Sequence, residues 1–165
     1  AGIRCTSLGN VAGNQFVGNS MFANQFGIDL GSYGITYNDT GDYDSGANGL
    51  LNFPVLLGAE STGDSVSVAV SYSSSPNKTY ALDFYWSSTC NASGYGEGEL
   101  YLGWDSLTTD AGGAALKQVG LAADNLQPGF ITATAIDSDG STSEFSACIP
   151  LEGASYTLML PLIVK

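Results

Sequence analysis

The chain has 165 residues, 44% apolar and only 12% charged, with a formal net charge of −12 and no histidine. Its basic residues, Arg4, Lys78, Lys117 and Lys165, make no cationic patch, which excludes electrostatic docking on nucleic acid or on an anionic membrane. The missing histidine removes the Ser-His-Asp triad, the commonest general base and the commonest zinc ligand.

This length suits one domain with a real core. The charged share is about half the usual value, so Ser, Thr, Asn, Gln and Gly must supply most of the polar surface. That composition fits an extracellular, cell-surface protein. No segment reaches the ~18 apolar residues of a spanning helix. Secretion needs a leader, so Ala1-Gly2 is expected to be a terminus exposed by cleavage.

Residues 1–30 form a first unit. Asn10, Asn14, Asn19 and Asn24 recur among Phe16, Met21, Phe22 and Phe26. Asn turns between short aromatic strands resemble solenoid rungs. One or two rungs cannot hold a core, so the segment must pack on the following domain or on a neighbour.

From Gly27 to Pro54 the chain is rich in Gly and Asx, which supply turns and exclude helix. Asp39, Asp42 and Asp44 lie close together, with Asp29 able to approach across the loop. Carboxylates so spaced are either turn punctuation or a Ca²⁺ cage, with Asn38 and Asn48 as further oxygen donors. The loop lacks the spacing of an EF-hand.

Residues 31–152 carry the main domain. Strands are expected at FPVLLGAE, Ser65–Ser71, Thr79–Ser87, Glu99–Trp104, Ala114–Leu121, Phe130–Ile136 and Ser143–Leu151. Ser65–Ser71 alternates, with Val66, Val68 and Val70 on one face. Asp137–Ser141 reads as a hairpin turn on its Asp-Gly pair. Strands at this spacing without helical periodicity predict an all-β, antiparallel Ig-like sandwich behind a short solenoid-like remnant.

Residues 153–165 end in YTLMLPLIVK. This tail is either a last core strand or a donor strand whose Tyr156, Leu158, Leu160, Leu162 and Val164 complete a neighbour's sheet. Pro161 bars it from a central position in its own sheet.

Cys90 ends the strand-like ALDFYWSSTC, Cys148 sits in the strand-like EFSACIPL, and the two are either bridged or buried as free thiols. Cys5 is left over, free or linked to a second chain. Asn38, Asn77 and Asn91 head N-x-S/T triplets, the pattern of a glycan acceptor and also a common chance match. Glu97 and Glu99 share a strand face as a candidate acid/base pair or a solvated strand end. Trp86 runs in phase with the core residues Tyr80, Leu82 and Phe84. Tyr85 and Trp104 are then the expected surface aromatics for stacking a polysaccharide.

Three runs carry a resemblance: GNSMFANQFGIDLG…NDTGDYDSGANGLLNFPVL, SSSPNKTYALDFYWSSTCNASGYGEGELYLG and FITATAIDSDGSTSEFSAC. Over roughly residues 14–150 the chain resembles the Ig-like β-sandwich modules that follow right-handed parallel β-helices in large bacterial surface proteins. The tail SYTLMLPLIVK is similar to C-terminal LPL segments of surface proteins from filamentous Chloroflexota-like bacteria. The resemblance implies an extracellular, structural or adhesive role and a Cys90–Cys148 bridge. Of the parallel β-helix that precedes such modules only a last rung is expected here, at residues 10–30, so the resemblance implies no lyase or hydrolase activity for these residues.

The sequence therefore leads to a non-enzymatic secreted subunit that polymerises with copies of itself by strand addition. A carbohydrate-binding or adhesive module is the alternative.

Overall fold

The computed structural model describes residues 1–6 and 11–154. The expected donor residues Tyr156, Leu158, Leu160, Leu162 and Val164 lie outside this range, as does Asn10. The described residues form strands β1 (Ile3–Cys5), β2 (Ile28–Leu30), β3 (Val55–Ser61), β4 (Ser65–Ser73), β5 (Thr79–Ser87), β6 (Leu100–Thr108), β7 (Ala114–Ala122), β8 (Phe130–Ile136) and β9 (Ile149–Pro150). Two antiparallel sheets, ordered β3-β4-β7 and β6-β5-β8-β9, make a sandwich-like all-β body.

The alternation in β4 sets the core. Val66, Val68, Val70 and Tyr72 point inward with Val119 and Leu121 of β7 and meet Leu82, Phe84, Ile131 and Ala133 of the opposing sheet. The outward residues of β4 are Ser65, Ser67, Ala69 and Ser71, as expected of a sheet with one wet face.

The other sheet has no wet face at its centre. β5 is buried continuously from Leu82 to Tyr85, and β8 from Ile131 to Ile136. A second apolar cluster explains this. Met21, Ile28, Leu30 and Ala47 pack with Tyr85 and Phe145 on the outer side. Within this chain the N-terminal segment packs on that outer side. β1 and β2 pair in parallel there, Ile3 beside Ile28 and Cys5 beside Leu30.

Ser143–Leu151 was expected as one strand, and the regular part is only β9. Upstream, the Ser143 and Ser146 hydroxyls accept the Ala135 and Ala133 backbone N–H groups, each at 2.9 Å. Side-chain oxygens thus replace carbonyls in the ladder, and regular pairing gives way. Past β9 the chain changes sheets: Ile149 pairs with Ile131, and Glu152 bridges in parallel to Glu60 of β3. Among the described residues no helix is long and apolar enough to cross a membrane.

Candidate functional site

The Asp-rich loop folds over one end of the sandwich and is fastened by amides. Asn38 donates to the Phe53 carbonyl at 2.8 Å and accepts the Phe53 N–H at 2.9 Å. Asn52, buried, accepts the Asp39 N–H and donates to the carbonyls of Asp39 and Ser73. Asn48, also buried, clasps Asn14 and donates to the Thr142 carbonyl at 2.9 Å. These Asx residues tie distant segments together because each amide offers both a donor and an acceptor.

So held, the loop brings Asp39, Asp42 and Asp44 together, with one carboxylate oxygen from each within 4.8 Å of the others. Asp42 accepts the Asn52 N–H at 3.0 Å and the Ser74 hydroxyl. Burial pushes its carboxyl above the usual range, the bonds from Ser74 and Asn52 pull it back, and the Asp39 and Asp137 charges add to the rise. Asp44 is raised by burial and then by Asp39 and Asp42. The Oδ2 of Asp39 accepts the Tyr43 N–H at 3.0 Å, while its Oδ1 is enclosed without a hydrogen-bond partner. Asp42 and Asp44 line a cleft of about 260 Å³ that also touches Lys78, Tyr80, Asp137 and Asp139. Three carboxylates converging on one point are chemically suited to a hard cation.

Asp29 is not part of this group. Its carboxylate lies buried beside β1, 3.1 Å from the Arg4 guanidinium, and accepts the Gly34 N–H. The hairpin pair Asp137 and Asp139, read as turn residues, lines the same cleft as Asp42. Asp137 also keeps its turn role, accepting the N–H groups of Asp139 and Ser141.

The remaining candidates separate clearly. Cys90 and Cys148 form a disulfide with Cα atoms 5.9 Å apart, while Cys5 is unpaired among the described residues. Glu97 is buried and holds Asn24 by its N–H (2.8 Å) and its side-chain amide (2.6 Å). The expected stacking platform does not form. Trp104 is 64% exposed, but Tyr85 is buried at 1%, covered by the N-terminal cluster. Of the three triplet asparagines, Asn38 and Asn91 spend their amides inside the fold, Asn91 on the Asn24 carbonyl at 2.8 Å. Asn77 sits exposed in the β4–β5 turn.

Sequence reasoning missed two buried carboxylates. Asp83 receives the hydroxyls of Tyr85 and Tyr101 at 3.3 and 3.2 Å. Glu144 receives the N–H groups of Leu30 and Thr36 at 2.8 and 2.9 Å. The signal was present: Asp83 stands next to Phe84 and Glu144 next to Phe145, and a carboxylate on a covered face needs a partner. No family model matches the chain, and no curated protein matches it.

Proposed function

We propose that the protein is a secreted, non-enzymatic structural subunit that joins copies of itself by strand addition, forming an extracellular filament or surface layer. The observation that carries this reading is the parallel β1–β2 ladder. β1 uses one edge on β2, and its other edge carries no strand among the described residues. A parallel edge of this kind accepts a further strand through main-chain hydrogen bonds, and the apolar tail Tyr156–Lys165 has the composition of a donor. A head-to-tail contact that does not close propagates as a fibre.

The Cys90–Cys148 bridge suits an oxidising compartment and supports secretion. The parallel ladder also supports the likeness to modules that follow parallel β-helices. Within this reading Ca²⁺ is a structural ligand of Asp39, Asp42 and Asp44, supported by the enclosed, partnerless Oδ1 of Asp39.

Deleting Tyr156–Lys165 tests the reading. Negative-stain images of the full chain should show fibres or sheets, and the truncated chain should run as a monomer in size-exclusion chromatography. A truncated chain that still polymerises rules out the tail as donor.

A further inference from the structure

A second cavity, of about 290 Å³, opens where the N-terminal segment meets the end of β5. Its lining includes Phe22, Asn24, Thr89, Asn91, Glu97 and Glu99, beside the bridged Cys90. We infer that this cavity binds one ring of a neutral sugar.

The walls are fixed before any ligand arrives. Asn24 takes both oxygens of Glu97 through its N–H and its amide, and its carbonyl accepts the Asn91 amide at 2.8 Å. The Asn91 Oδ1 accepts the Ser93 N–H at 2.9 Å. The disulfide pins Cys90 to the segment before β9. Preorganised walls lower the ordering cost of binding.

The groups left over suit a sugar. Glu99 gives one oxygen to the Ser88 N–H, and its other oxygen has no hydrogen-bond partner among the described residues. The same holds for the Asn24 side-chain oxygen and the Thr89 hydroxyl, which take part in no hydrogen bond there. Two acceptors and a hydroxyl match the donor-and-acceptor hydroxyls of a pyranose edge. Phe22 is 61% exposed and offers an apolar ring to the C–H face of the sugar. The volume is at the low end for small-molecule sites, which limits the occupant to about one ring. The Glu99 charge, in a chain of net charge −12, disfavours uronic, sulfated or phosphorylated sugars.

The same geometry argues for binding without cleavage. Glu97 is the inner carboxylate, and both of its oxygens are occupied by Asn24. No second free carboxylate faces Glu99 across the cavity lining. Neither role of a glycosidase pair is filled.

The test is an NMR titration of the full chain with cellotetraose, mannotetraose and tri-N-acetylchitotriose, each separately. At least one should shift the amides of residues 22–24, 89–91 and 97–99 in a saturable way, with Kd on the order of 1 mM. Phe22→Ala and Glu99→Gln should each weaken that binding by about tenfold, while Trp104→Ala leaves it unchanged. Should Phe22→Ala fail to fold, Glu99→Gln decides. The inference is overturned if none of the three sugars shifts those amides, if the variants bind like the parent, or if a tetragalacturonate binds as well as the neutral sugars. Deleting Tyr156–Lys165 should leave this binding intact, so the sugar site and the assembly reading fail independently.

Discussion

The Glu144 carboxylate accepts the backbone N–H of Leu30 at 2.8 Å across 114 positions of chain, fastening β2 to the segment beside β8. Its second oxygen holds the Thr36 N–H. Burial pushes this carboxyl up to about 7. The two N–H donors oppose the rise, and the nearby Asp29 charge reinforces it. The Arg4 guanidinium faces Asp29 from β1.

A folded-state value above the unfolded one means that the folded chain binds the proton more tightly. The stability from this group is complete below about 4.5, declines as pH rises and is lost above about 7. Thermal unfolding should therefore show a higher Tm at pH 5 than at pH 8. The loss attributable to Glu144 is on the order of 2 kcal/mol. With no histidine in the chain, Glu144→Gln should flatten most of the slope between pH 6 and 8. A slope unchanged in that variant would place the titration elsewhere.

Gly27 lies against the Phe145 ring so closely that an added Cβ would stand 2.7 Å from it. That contact seats the segment leading into β2 on the outer sheet. Gly27→Ala should cost about 1–3 kcal/mol by overpacking. Hydrogen exchange should reveal faster opening of residues 21–30 than of β4, whose core lies between the sheets.

The Cys90–Cys148 bridge closes a loop with a sequence separation of 58. In the chain-entropy account such a crosslink contributes about 4 kcal/mol. Replacing both cysteines by Ala should lower the denaturant midpoint by a matching amount. An unchanged midpoint would mean that the bridge adds nothing to stability.

Ca²⁺ should raise the Tm of the parent chain, by about 2.7 kcal/mol of stabilisation at a hundredfold excess over Kd. Asp39→Asn should abolish the response, since it removes one of the three converging negative charges. Asp29→Asn should lower the starting Tm, through loss of the Arg4 pair, and leave the Ca²⁺ response intact. No rise with Ca²⁺ would leave the loop as turn chemistry alone.

The sandwich was legible where one physical signal dominated. Strict alternation over Ser65–Ser73 could only be a strand with one buried face, and it is. Tyr85 shows the limit of that rule. Phase put it outside, opposite Phe84, and it is outside the sandwich. It is still buried, because residues 11–30 cover that face. Alternation reports which face a residue takes and is silent on what lies over it. The apolar and aromatic run Leu82–Trp86, interrupted only by the buried Asp83, was the hint of a strand covered on both sides. The Asp loop followed the same pattern. Spacing gathered Asp39, Asp42 and Asp44, which share one turn, but proximity in sequence could not tell that Arg4 would claim Asp29.

The switch of the chain from β8 to β3 at Ile149–Glu152 has a mechanical consequence. Tension transmitted through Ala154 reaches both layers of the body at once, because neighbouring residues of the same short stretch are gripped by opposite sheets. Such a join resists peeling, which requires bonds to break one at a time from a single edge. A fibre linked through that end would carry its load into the whole subunit.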